Sequence, residues 1–134
     1  SDAPANDLPV MVTAAKGRPL ILTEVGSASA GSKTTAATQR DFLANVFQTL
    51  STLGSKVTAA SFYQMSDLPP AQLAAYANSY GSSSAFAQYA GSLGLHDTAG
   101  SAKLAWGEFQ LNAAKFKQPS YCTSDIEPVS RRVP

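Results

Sequence analysis

Apolar residues recur along this chain with two different periods, and the alternation between them predicts helices and strands. In residues 8–16 and 39–53 the apolar side chains lie three or four positions apart, the spacing of one helix face. Residues 19–26 and 56–65 are instead short, nearly continuous apolar runs, as expected of strands buried on both faces of a parallel sheet. Helices that alternate with such strands predict an α/β layer.

The pattern changes after the second strand. Residues 70–90 contain two short helical pieces, around 71–80 and 84–90, and are too long for an ordinary strand-to-helix turn. A long insertion after a strand is where an α/β enzyme keeps binding elements. Residues 102–116 predict a last helix, and residues 118–134 contain three prolines with little periodicity, which predicts a loose tail.

Composition places the chain among globular proteins and excludes several classes of function. With 134 residues, 44% of them hydrophobic, it has the length of one domain, assigned to residues 1–117 with a tail at 118–134. The net charge of +1 offers no basic stripe for nucleic acid, and no apolar stretch is long enough to cross a membrane. Neither a signal peptide nor a Cys/His cluster with metal-ligand spacing is visible, so no metal and no cofactor is expected.

Glu24 is the residue that departs most from the strand pattern. It stands near the C-terminal end of a buried apolar run, where a carboxylate is costly unless it is hydrogen-bonded or used. Active sites of barrels built from alternating strands and helices collect at the C-terminal ends of the strands. The spacing alone leaves two interpretations open: a functional carboxylate, or an exposed or salt-bridged residue at the end of a strand.

Three segments, in order, carry a resemblance to a known group of enzymes. Residues 16–26 read Lys-Gly-Arg-Pro-Leu-Ile-Leu-Thr-Glu-Val-Gly and are similar to the seventh strand of the clan A retaining glycoside hydrolases, which have (β/α)8 (TIM) barrels. Residues 60–67 resemble the eighth strand, and residues 92–106 resemble the closing Gly-Leu turn and Lys-Pro-Ala-Trp signature. Leu104 stands where that signature has proline.

The resemblance implies a fold, an activity and site residues. The implied fold is α/β and a partial (β/α)8 barrel, made of the last two strand–helix units with an insertion after the final strand. The implied activity is hydrolysis of β-glycosides with retention, with a carbohydrate substrate and a secreted or periplasmic location. Glu24 would be the nucleophile, Phe62 or Tyr63 the aromatic floor of the sugar subsite, and Gln64 and Asp67 further substrate-binding residues. Many members have Trp at the floor position, and this chain does not.

Half of the implied machinery is absent from the chain. Retaining hydrolysis uses two carboxyl groups about 5–5.5 Å apart, and in this clan the acid/base is commonly in an Asn-Glu pair, which the sequence lacks. Asp67 is an in-chain candidate for the second carboxyl, and a loop cap before Pro69 is the alternative. The chain is therefore expected to be a fragment, to pair with a complementary barrel fragment or with copies of itself, or to have a different role. The alternative function is a non-catalytic carbohydrate-binding or self-assembling half-barrel module.

The aromatic residues of the insertion also allow two interpretations. Tyr76, Tyr80, Phe86 and Tyr89 have flat faces that suit the C–H faces of pyranose rings. The same residues would equally close a small core within the insertion.

Overall fold

The structure, a computed structural model, describes residues 3–81 and 83–116. In chain order its elements are α1 (Pro4–Ala14), β1 (Leu20–Val25), α2 (Ala36–Leu53), a short 3-10 turn (Gly54–Lys56), β2 (Val57–Phe62), α3 (Pro70–Tyr80), α4 (Ser84–Gly91) and α5 (Leu104–Ala113). None of the helices in these two ranges is both long enough and apolar enough to cross a bilayer. The predicted tail at 118–134 lies outside the described residues, so the domain boundary at residue 117 stays a prediction.

The two strands and the helix between them form a parallel β–α–β unit, as the hydrophobic pattern predicts. Leu20 pairs with Val57 and Leu22 with Ala60, with irregular register between Leu22 and Val25. The expectation that β1 is buried on both faces is wrong. Leu22 is buried against the helices, but Ile21, which points to the opposite face, is 67% exposed. Helices α1 and α2 cover one side of the sheet, and the other side is left open.

The structure corrects the predicted fold class. A (β/α)8 barrel needs eight parallel strands, each followed by a helix. The described residues form a two-stranded sheet, and after β2 the three helices α3, α4 and α5 follow one another with no strand between them. The prediction of a partial (β/α)8 barrel made of its last two strand–helix units is therefore wrong. In the described residues the architecture is a two-stranded parallel sheet and five helices, with one face of the sheet left open.

Helix α2 is the central element of the packing. It begins at Ala36, earlier than the apolar pattern predicts, because Thr35 and Thr38 form a reciprocal capping box. Thr38 N donates to Thr35 Oγ1 at 3.2 Å, and Thr35 N donates to Thr38 Oγ1 at 2.7 Å. One side of α2 packs against α1 and β1, and another packs against α5. The main core is formed by five buried residues: Leu8, Leu22, Val46, Leu50 and Val57.

Aromatic rings join β2 to α5. Phe62 stacks on Phe47 with ring centroids 5.1 Å apart, and meets Phe109 edge-on at 5.1 Å. Trp106 stacks on Phe109 at 5.6 Å. Such pairs are each worth about 0.5–1.5 kcal/mol beyond the burial of their area. They position α5, whose amphipathic pattern in the sequence is weak.

A close backbone contact joins the segment after α4 to the segment after β2. Leu95 N and His96 N both donate to Met65 O, at 3.0 and 2.9 Å, and Asp67 N donates to His96 O at 2.9 Å. At Gly94 a Cβ atom would lie 2.3 Å from Asp67 N, so no side chain fits there. This explains the glycine in the Gly-Leu turn by packing alone.

Lys103 closes the same region with a network of polar contacts. Its Nζ lies 2.5 Å from Asp67 Oδ1 and 2.8 Å from Ser29 Oγ, and it also donates to Ser92 O at 3.3 Å. Asp67 Oδ1 accepts a second hydrogen bond from Gly94 N at 2.9 Å. The side chains of Lys103 and Asp67 are only 11% and 15% exposed. One ammonium group thus holds together the loop after β1, the loop after β2 and the segment after α4.

We expect Leu50→Ala to lower the free energy of unfolding by about 2–5 kcal/mol, because Leu50 is 1% exposed and its truncation leaves a cavity in the main core. Urea denaturation followed by circular dichroism measures the loss. Leu111→Ala is the matched control, since Leu111 is 65% exposed, and it should change stability by less than about 0.5 kcal/mol. Equal losses in the two variants would contradict this assignment of the core.

Lys103→Met should lower the free energy of unfolding by about 3–5 kcal/mol, because the largely buried Asp67 carboxylate then loses its cation. The double variant Lys103→Met/Asp67→Asn should recover part of that loss, since a neutral carboxamide still accepts from Gly94 N. Denaturation of the wild type, both single variants and the double variant gives the coupling energy. Strictly additive effects would show that the two residues do not act as a pair.

Candidate functional site

Glu24 lies at the C-terminal end of β1, within the stretch where the register with β2 becomes irregular. Such an irregularity re-aims side chains at the end of a strand. The Glu24 side chain is exposed, although its neighbours along β1 contribute to the core. Its carboxylate forms no ion pair among the described residues. The structure thus presents Glu24 to solvent with its charge uncompensated.

Glu24 lines an open cavity of about 320 Å³, called here the site cavity. Its walls come from the ends of β1 and β2, the loop after β2, helices α3 and α4, and the segment after α4. The lining residues are Glu24, Gly26, Tyr63, Gln64, Leu68, Tyr76, Phe86, Tyr89, Ala90 and Leu93. Among the predicted site residues, the structure therefore brings together Glu24, Tyr63 and Gln64.

Tyr63 and Gln64 follow β2 directly and face the cavity beside Glu24. Tyr63 N donates to Val25 O at 2.8 Å, which fixes the backbone next to the end of β1, and the residue is 37% exposed. Gln64 has a φ of 62°, a left-handed conformation that is uncommon for a residue with a side chain. Its Oε1 atom is buried and accepts no hydrogen bond from the described residues. Backbone conformations of this kind cluster at functional sites.

The insertion supplies an aromatic wall. Tyr76 of α3 and Phe86 of α4 stack with ring centroids 6.1 Å apart and planes at 16°. Phe86 and Tyr89 remain 42% and 41% exposed while lining the cavity. These rings therefore present faces to the cavity in addition to packing the two short helices together. The side chain of Tyr80 lies outside what the structure describes.

Phe62 and Asp67 lie elsewhere. The Phe62 ring is held between Phe47 and Phe109, facing α2 and α5 instead of the site cavity. The Oδ1 atom of Asp67 accepts hydrogen bonds from Lys103 Nζ and from Gly94 N. The sequence alternates Phe62 and Tyr63 on opposite sides of the chain, and only the packing of α5 shows which ring is taken by the core.

Gln39 positions the cavity from inside the fold. It is completely buried on α2, and its Nε2 atom lies 2.9 Å from Ser27 O, 3.3 Å from Leu93 O and 3.0 Å from Gly94 O. It thereby ties the loop that follows Glu24 to the segment that contributes Leu93. A glutamine among the apolar positions of a helix is the sequence pattern that indicates such a role. No pattern in the sequence indicated that Leu68 and Leu93 would line the cavity.

The charges around the site are few. Glu24 is the sole ionised residue among the described residues that line the site cavity. A second, smaller cavity of about 250 Å³ on the other side of Glu24 is bordered by Asp7 of α1. Within residues 3–81 and 83–116 no group of three acidic, His or Cys side chains is placed to hold a metal ion.

Among the described residues, Asp97 is the one whose carboxyl has a clearly shifted pKa, and it lies outside the site cavity. The backbone N–H of Ser101, with a further one from Ala99, lowers the pKa of the Asp97 carboxyl. Its Oδ1 accepts from these groups at 2.8 and 2.9 Å. The carboxylate therefore stabilises the turn before α5 at neutral pH, and that contribution is lost as the pH falls through its lowered pKa.

Comparisons with known proteins show a likeness of fold. No protein-family profile matches the sequence, and no curated protein is similar to it. The crystal structure of a GH2 beta-galacturonidase from Eisenbergiella tayi bound to glycerol is similar, with a TM-score of 0.65 and 12% sequence identity. The likeness covers 93% of this chain and 23% of that chain.

These comparisons correct the resemblance found in the sequence. The prediction that the chain is the C-terminal part of a clan A retaining glycoside hydrolase barrel is wrong, because no family matches and the likeness, at 12% identity over 23% of the other chain, shows no barrel fragment. It also gives no support to the expected homo-oligomer or complementary barrel fragment. What is shown is a fold shared with part of one glycoside hydrolase, and a shared fold does not by itself carry over an activity.

Proposed function

We propose that the site cavity binds a β-glycoside and that Glu24 is the nucleophile of its hydrolysis with retention. The observation that carries the proposal is an exposed carboxylate on the wall of a cavity that four aromatic residues also line. Aromatic faces bind the C–H faces of sugar rings, and a carboxylate beside them can reach a ring carbon. The shared fold with part of a GH2 beta-galacturonidase, whose structure holds the polyol glycerol, supports the same class of ligand.

The chemistry assigns Glu24 one of two roles. In retaining hydrolysis a carboxylate oxygen bonds to the anomeric carbon while the bond to the leaving-group oxygen breaks. The leaving oxygen takes a proton from a second carboxyl group, and water then hydrolyses the glycosyl ester with that second group as base. Glu24 would form the ester. Tyr63 and the rings of Tyr76 and Phe86 would hold the sugar against it.

A second candidate function is carbohydrate binding without turnover. It is favoured because Glu24 is the single carboxyl group among the described residues that line the site cavity. Asp67 is engaged by Lys103, and Asp7 borders the neighbouring cavity. In a binding module Glu24 would accept hydrogen bonds from sugar hydroxyls, and no glycosyl ester would form.

The two candidates are separated by trapping the ester with 2,4-dinitrophenyl 2-deoxy-2-fluoro-β-glycosides. Dinitrophenolate leaves without a general acid, so ester formation depends on the nucleophile alone. We expect the mass of the chain to rise by one fluoroglycosyl group, located on Glu24 by peptide mass spectrometry. Azide should speed release of the sugar, with retained configuration, because it attacks the ester without needing a base.

Glu24→Gln should not be labelled, whereas Glu108→Gln should be labelled like the wild type, since Glu108 lies on α5 outside the site cavity. A label on another residue would refute the role of Glu24. Binding of the glycosides with no label in any variant would establish the binding module instead.

Tyr63→Ala should weaken binding of the glycoside that binds best by about 2- to 10-fold, because one exposed aromatic face is lost from the cavity. Tyr63→Phe keeps the face, removes the hydroxyl and should bind nearly as tightly. Isothermal titration calorimetry measures both. If Tyr63→Phe lost as much affinity as Tyr63→Ala, the hydroxyl and not the ring face would be the contact.

A further inference from the structure

The charge of the site cavity restricts the sugars that it can take. Glu24 contributes a negative charge, and none of the ten described lining residues is Lys, Arg or His. Lys103, which holds the loops around this part of the fold, is bound to Asp67 and Ser29. A sugar acid is ionised at neutral pH like any ordinary carboxylic acid. Such a ligand would bring a second negative charge beside Glu24, with no cation to receive it.

We propose that the site cavity is selective for neutral glycosides over uronides, because the negative charge of Glu24 repels a sugar acid. This rests on the proposed function, and it separates this chain from the neighbour of similar fold, which is named for galacturonide chemistry. Charge repulsion from Glu24 disfavours the acid, and no Lys, Arg or His among the described lining residues offsets it.

The test uses matched pairs of sugars on the whole 134-residue chain. Methyl β-glucoside, β-galactoside and β-mannoside are compared with their three uronides by calorimetric titration at neutral pH and low salt. We expect at least one neutral glycoside to bind, and its uronide to bind about fivefold more weakly or worse, the effect of two like charges about 4 Å apart even in water. Glu24→Gln should narrow that ratio, because it removes the repelling charge.

The outcomes separate this inference from the proposed function. A uronide that binds as tightly as its neutral partner, or more tightly, would overturn the selectivity while leaving a carbohydrate site in place. Failure of all six sugars to bind would overturn both.

Discussion

The site depends on one buried charge pair. Lys103 and Asp67 meet in a region that is largely shielded from water, where each charge would be costly alone. The same ammonium reaches Ser29 and Ser92, so the segments that follow β1, β2 and α4 are held at one point. These segments carry the walls of the site cavity.

A second constraint comes from the coverage of the sheet. Parallel sheets normally bury both faces, but here α1 and α2 cover one face and Ile21 on the other is open to solvent. The main core is therefore one-sided and centred on α2, with α5 attached through aromatic rings. Glu24 lies at the end of this half-covered sheet. Because its side chain is exposed to water, the protein does not pay the desolvation free energy of a buried carboxylate.

Local sequence patterns marked Glu24 and its neighbours Tyr63 and Gln64 as candidates, but they did not show where Phe62 and Asp67 would lie. A carboxylate at the end of an apolar strand marked Glu24, and its exposure beside Tyr63 and Gln64 agrees with the placement expected for strand ends. The choice between Phe62 and Tyr63 was open, because neighbouring residues of a strand face opposite sides and either side was available to the core. The short motifs that resemble an enzyme clan predicted the wrong fold class. The packing of Gly94 on Asp67 explains the glycine of the Gly-Leu turn, and the charge pair with Asp67 explains Lys103.

The sequence by itself determined the helices and strands, since the period of apolar positions is a local property that each segment carries alone. Only the tertiary structure decided which face of the sheet is open, which aromatic ring joins the core, and that Asp67 is paired with Lys103. Those outcomes depend on contacts between residues far apart in the chain. The spacing of residues along a sequence does not specify which distant residues come into contact.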